Sequence, residues 1–148
     1  MSNPPELPFE TTLLVRDSCL CLHVQRAARA LARRFDEALR PLSLTNGQFS
    51  LMMSLNQPKS PGMGEVARLL AMDRTTLTAA LKPLERRGLV EVMANHQDGR
   101  SRLLTLTPAG RALLANAVPM WEHTHAQAEN LLTDGDPDRL RNNLRALS

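Results

Sequence analysis

Met72-Asp73-Arg74-Thr75-Thr76-Leu77-Thr78-Ala79-Ala80-Leu81-Lys82-Pro83-Leu84-Glu85-Arg86-Arg87-Gly88 and the residues that follow it to Thr107 decide the fold. Asp73 is a helix-capping residue, and Met72 and Leu77 stand at staple positions around it. Leu77, Leu81 and Leu84 step by four and three and mark the inward face. Gly88 is placed to end the helix in a left-handed conformation. Pro83 removes one backbone hydrogen bond inside this helix, and a local distortion is expected there rather than a terminus, because the inward leucines continue past it. Leu89-Val90-Glu91-Val92-Met93 then reads as a strand. Ala94 to Arg102 form a polar tip with a turn expected at Asp98-Gly99, and Leu103-Leu104-Thr105-Leu106 reads as the returning strand.

Outward from this segment the pattern is helical. Leu20, Val24, Ala27, Leu31, Phe35, Leu39 and Leu42 define one face of a helix expected over about 12–39, after a proline-rich lead-in at 1–11. Thr45 and Gln48 form a capping box for a second helix, with Leu44 and Phe49 as its staple. A short third helix is expected over about 63–70, with a turn at Ala71-Met72. Thr107-Pro108 caps a long helix to about residue 132, kinked at Pro119, and Asp136-Pro137 starts a last helix carrying Leu140, Leu144 and Leu147. The expected fold is mainly α with a small β-hairpin: a winged helix-turn-helix flanked by N- and C-terminal helices. Its expected divisions are 1–43 (arm and first long helix), 44–107 (winged helix-turn-helix) and 108–148 (terminal helices).

Composition narrows the function. The 148 residues suggest one domain with appended elements, and the net charge is +3. Between Lys59 and Arg111 there are nine Lys/Arg against five Asp/Glu, whereas the remaining residues hold nine against ten. Positive charge therefore gathers in the winged segment, as a phosphate-facing surface requires. Two cysteines, Cys19 and Cys21, are too few for a disulfide framework, and no run is long enough to span a membrane, so a cytoplasmic protein with no membrane partner is expected. No cofactor motif is present. Cys19 and His23 share a helix face, but metal binding needs three or four converging ligands, so no metal site is expected.

The outward face of the Asp73 helix should carry Arg74, Thr75, Thr76, Thr78, Ala79 and Lys82. Short side chains let a helix sink into a DNA groove, threonines can meet phosphate or a thymine methyl, and first-turn amides suit phosphate. At the tip, Asp98 is placed to orient an arginine through a charge-assisted bond, and Arg100 and Arg102 should emerge on one side of the strand.

The run Glu85-Arg86-Arg87-Gly88-Leu89-Val90-Glu91, with Asp98-Gly99-Arg100 and then Leu106-Thr107-Pro108-Ala109-Gly110, resembles the MarR family of bacterial transcription regulators. The wing pattern Asp-x-Arg followed by Leu-Thr-x-x-Gly falls on Asp98, Arg100, Leu106, Thr107 and Gly110. The resemblance covers about residues 13–147. It implies a homodimer joined through the terminal helices, binding double-stranded DNA at a palindromic operator. It also implies a repressor released by a small aromatic or anionic ligand, or by cysteine oxidation. His23, Arg26, Met52 and Met53 are the candidate ligand residues. Leu20-Cys21-Leu22 resembles the segment bearing the reactive cysteine of the hydroperoxide-sensing branch, although the tyrosines of that branch are absent here. On packing grounds alone Cys21 reads as a small buried apolar group. Two other classes remain: a winged domain used for protein contacts, and a thiol enzyme using Cys21 and His23, whose spacing points them in different directions.

Overall fold

The computed structural model describes residues 1–148 as seven α-helices and one two-stranded hairpin. The order is α1 (Phe9–Ser18), α2 (Leu20–Leu39), a single 3₁₀ turn (Arg40–Leu42), α3 (Asn46–Leu55), α4 (Met63–Leu69), α5 (Arg74–Arg86), β1 (Val90–Asn95), β2 (Asp98–Leu106), α6 (Pro108–Glu129) and α7 (Pro137–Ala146). The expected fold class is what the chain adopts.

The single first helix expected over 12–39 is two helices, and it starts earlier, at Phe9. Cys19 leaves the helical region (φ −68°, ψ 111°), and its Sγ accepts the Leu22 amide at 3.5 Å, capping α2. A cysteine is not an obvious cap, so periodicity alone carried the helix through it. The later caps follow the sequence. Thr45 and Gln48 form both halves of the capping box on α3, and the Asp136 carboxylate accepts from the Arg139 amide. α5 runs through Pro83 and α6 through Pro119 without ending.

The hairpin differs from expectation at its tip. Val90 pairs with Leu106, Val92 with Leu104 and Ala94 with Arg102, so the inward residues alternate as a half-buried strand pair requires. The turn, however, is His96-Gln97: Asn95 stands opposite Asp98, and Asp98 and Gly99 already belong to β2. Asn95 bends the chain by accepting the Gln97 amide on its own Oδ1 at 3.0 Å. This asparagine turn displaces the Asp-Gly turn that composition favoured. Between Ala94 and Asn95 the register slips, leaving Gly99, Arg100 and Ser101 with no residue opposite them.

One apolar core serves the winged region. Leu77, Leu81 and Leu84 of α5 are buried with Val66 and Ala67 of α4, Leu51, Met52 and Leu55 of α3, Leu104 and Leu106 of β2, and Leu39, Leu114 and Ala117 from the long helices. The loop before α4 adds an edge to the wing, because Leu104 donates its amide to the Pro61 carbonyl and Gly62 bridges to Leu103. Ala71 holds a left-handed conformation (φ 52°) in the turn between α4 and α5. By contrast, α1 and α7 bury nothing within one chain. Leu20 is 68% exposed and Leu147 62% exposed, with Val24, Leu31, Leu140 and Leu144 also open.

The Leu-Thr-x-x-Gly pattern has a steric basis. Thr107 Oγ1 accepts the Gly110 amide at 3.0 Å and donates to the Gly88 carbonyl at 2.6 Å, pinning the start of α6 to the end of α5. A Cβ on Gly110 would lie 2.1 Å from the Leu89 carbonyl oxygen, a backbone atom that cannot rotate away. Gly110→Ala is therefore expected to destabilise the fold by about 2 kcal/mol or more, as overpacking against backbone does. Urea unfolding measures this, and an unchanged midpoint would refute it.

Candidate nucleic-acid interface

The interface begins at the α5 N-terminus. The Asp73 carboxylate accepts the Thr76 amide at 2.7 Å, and this bond holds Asp73 below the ordinary aspartate range. One of the first-turn amides offered to phosphate is thus already taken by the cap. At 100° per residue, Arg74, Thr75, Thr78, Ala79 and Lys82 fall on one side of α5, and together they line a shallow concavity of about 330 Å³. Thr76 is exposed but does not line it. The Thr78 hydroxyl donates to the Arg74 carbonyl at 2.8 Å, so its proton is used within the helix. Its methyl group and remaining lone pairs are what it can offer a ligand.

A second groove, of about 270 Å³, joins this face to the wing. Arg74 and Thr78 of α5 line it together with Gly62, Met63 and Gly64 at the start of α4 and Arg100, Ser101 and Arg102 of β2. Arg102 has the same parity along β2 as Leu104 and Leu106, which directs it toward the helices. The Arg74 guanidinium lies where a Cβ on Gly64 would be 3.1 Å away, and the Arg68 guanidinium 3.6 Å away. The glycine lets two cations approach the α4 backbone closely. None of Arg68, Arg74, Lys82, Arg100 and Arg102 forms an ion pair. Several unneutralised cations around one groove form an electrostatic footprint suited to a polyanion.

Asp98 has a different role from the one its position suggested. Its Oδ1 accepts the Arg100 backbone amide at 3.1 Å and bonds no guanidinium. Asn95 Nδ2 donates to Ser101 Oγ at 3.0 Å, and that hydroxyl donates to the Asp98 carbonyl at 3.2 Å. Asp98 therefore shapes the backbone of the slipped segment, and the arginine side chains stay free. Arg68, Gly62, Gly64 and Ser101 were missed in the sequence. The close spacing of Gly62 and Gly64 ahead of a helix was the available signal.

The family model described as "MarR family" matches residues 44–101. The DNA-bound crystal structure of the M. tuberculosis transcriptional regulator MosR is 39% identical in sequence, with a TM-score of 0.80, and the alignment covers 88% of this chain and 93% of that one. The chain belongs to the MarR family. A second structure, the repressor CouR bound to a 23-mer DNA duplex, aligns over 97% of this chain and 99% of its own, at 29% identity and a TM-score of 0.80. Among curated relatives, the transcriptional activatory protein BadR of Rhodopseudomonas palustris is 32% identical over 95 residues, 62% of this chain. The chain spans 54% of BadR.

The candidate ligand and redox residues of this MarR-family chain do not form one site. Met52 is fully buried in the winged core, while His23 and Arg26 lie with Arg29 and Arg33 along an exposed face of α2. His23 and Arg26 line an open polar cavity on α2, whereas Met53 opens to a separate cavity that contains neither of them. Cys21 is exposed rather than packed, and its thiol meets Gln25 Nε2 at 3.4 Å. His23 Nδ1 lies 2.7 Å from the Cys19 carbonyl, and the Cys21 thiol's hydrogen-bond partner is Gln25, with no bond between Cys21 and His23. No helix is long and apolar enough to cross a membrane.

The Asp73 cap generates a pH prediction. Its folded pKa lies below the ordinary 3.8, so its stabilisation is complete above pH 3.8 and is lost as pH falls through the lower folded value. Asp73→Ala is expected to melt at a lower temperature than wild type at pH 7, and the gap should close as the pH is taken below 3.8. Thermal melts across that range check it, and a gap independent of pH would exclude the charged cap.

Proposed function

We propose that the protein is a homodimeric, operator-binding repressor that reads a palindrome with paired α5 helices and anchors beside each with its wing. The observation that carries this reading is the groove shared by Arg74, Thr78, Arg100 and Arg102, with Lys82 continuing along α5 and no carboxylate pairing any of these cations. Arg74, Thr75, Thr78 and Lys82 address the major groove. Thr76, off the lined face, meets at most the flanking backbone. Arg100 and Arg102 reach the sugar-phosphate backbone or minor groove, and Asp98 serves them by shaping the tip. The open apolar positions Leu20, Val24, Leu31, Leu140, Leu144 and Leu147 support the dimer, because a single chain leaves them in water.

Release by a small aromatic ligand fits a different place from His23, Arg26 and Met52. Phe49, Met53, Leu69, Leu70, Val118 and Trp121 line a largely apolar cavity of about 460 Å³ between α3, α4 and α6. Phe49 and Trp121, whose rings stack at 6.1 Å, give this cavity an aromatic wall suited to an aromatic ring. A ligand there would touch both the helix-turn-helix and the long helix, and so bias their relative position. Oxidation is a second release route, favoured by the exposure of Cys21 and the proximity of Cys19 in the chain.

A gel shift with the DNA adjoining the protein's own gene tests the core of this reading. Arg100→Ala should weaken binding and lower the salt slope by about one per protomer, as expected when a phosphate contact is lost. Unchanged operator affinity in Arg100→Ala would count against the wing's role, and binding to an acidic protein without DNA binding would favour the protein-contact reading. Phenolic acids should dissociate the complex of wild type but not that of Trp121→Ala, and peroxide should dissociate wild type but not Cys21→Ser. A Trp121→Ala response equal to wild type would remove the aromatic cavity from the mechanism.

A further inference from the structure

Arg87 stands at the end of α5 and takes no part in the groove. Thirteen residues on from Arg74, it is rotated roughly 220° around the helix axis, away from the lined face. It is the C-cap of α5 (φ −81°, ψ −2°), after which Gly88 (φ 69°) turns the chain into the wing. Its side chain runs the other way. Nη1 donates to the Ser43 carbonyl at 2.6 Å and Nη2 to the Leu42 carbonyl at 3.2 Å.

Those two carbonyls close the far end of α2. The helix tightens into the 3₁₀ turn Arg40–Leu42 and stops at Ser43, which holds a left-handed conformation (φ 54°, ψ 38°). The Ser43 carbonyl accepts no backbone amide. The negative end of a helix with an unfilled acceptor is a favourable seat for a guanidinium, and the planar fork fits two carbonyls where an ammonium fits one. One side chain thus fastens the C-terminus of the long helix α2 to the C-terminus of α5. The only other side-chain hydrogen bonds from this end of the molecule to the winged region are those of Asp36 on α2, whose Oδ1 accepts the Asn46 backbone amide at 2.7 Å and its Nδ2 at 2.8 Å. Asp36 fixes the start of α3, whereas Arg87 acts on α5 itself.

We infer that Arg87 is a positioning residue that sets the angle of the recognition helix against α2, and through it the half-site spacing that the dimer accepts. This rests on the dimeric DNA-binding reading above. With each winged region carried by its own α2, the two α5 helices are only as far apart and as parallel as their attachments make them. Each base pair added between half-sites moves them apart by about 3.4 Å and rotates one by about 35°. A stiff attachment rejects that change, and a loosened one tolerates it at the cost of ordering the joint on binding.

The experiment uses the full chain and a palindrome selected by wild-type protein from random duplex DNA, with spacers shortened or lengthened by one base pair. Wild type should lose roughly tenfold or more in affinity at either altered spacing, the range of a single specificity defect. Arg87→Ala should bind the selected spacing more weakly and the altered spacings with nearly equal affinity, with an unchanged salt slope. Arg87→Lys, which keeps the charge but loses the fork, should fall between the two, and Arg87→Gln keeps one donor should the alanine variant fail to fold. Lys82→Ala provides the contrast of a uniform loss with a lower salt slope. If Arg87→Ala loses the same factor at every spacing and lowers the salt slope, Arg87 is a phosphate contact and the inference fails. If the variants keep the spacing preference of wild type, it also fails. If wild-type protein selects no DNA at all, it is the DNA-binding reading that fails, before Arg87 is tested.

Discussion

The recognition helix, the wing and the long helix α6 converge on one backbone contact, and the rest of the arrangement depends on it. Gly110 lies so close to the Leu89 carbonyl that no side chain fits between them. Thr107 completes the junction by capping α6 with the same hydroxyl that donates to the Gly88 carbonyl, while its amide donates to Leu89. The end of α5, the residue that leads into the ribbon and the first turn of α6 are therefore one rigid corner. A groove built from α5 and β2 needs such a corner, because cations on two elements make a shaped surface only if the elements hold a constant angle.

The cationic surface is organised by residues that carry no positive charge. Asp73 caps the helix that presents Arg74 and Lys82, Asp98 shapes the backbone that presents Arg100, and Gly64 opens the space into which Arg74 settles. Both carboxylates accept a backbone amide, and neither forms an ion pair with a guanidinium. The same division of labour appears at Arg87, a cation used for attachment to α2 and not for the ligand-facing side.

Much of this was legible in the sequence. The inward leucines of α5, the Thr45 capping box, the Thr107 cap and the Gly88 stop are local signals whose chemistry acts within a few residues, and all of them hold. The hairpin turn was misplaced because Asn95 and Asp98-Gly99 offer competing turns, and only the pairing of the two strands chooses between them. The break at Cys19 was missed because its cap is a sulfur. The sensor residues were the least legible. His23, Arg26, Met52 and Met53 are plausible by residue type, but Met52 fills the core while the arginine side of α2 faces elsewhere.

By itself, the sequence determined the helices apart from the break at Cys19, their order, the presence of the hairpin though not its turn, the basic bias of the winged segment and the family pattern, since each rests on spacing or on contacts within a few positions. Tertiary structure alone decided which cations meet, that Gly62 and Gly64 share a groove with Arg102, that Trp121 walls a cavity with Met53, and that Arg87 reaches back over forty residues to Ser43. Those contacts join residues far apart in the chain. Their partners are set by how helix faces and strand register pack together, and no local pattern encodes that.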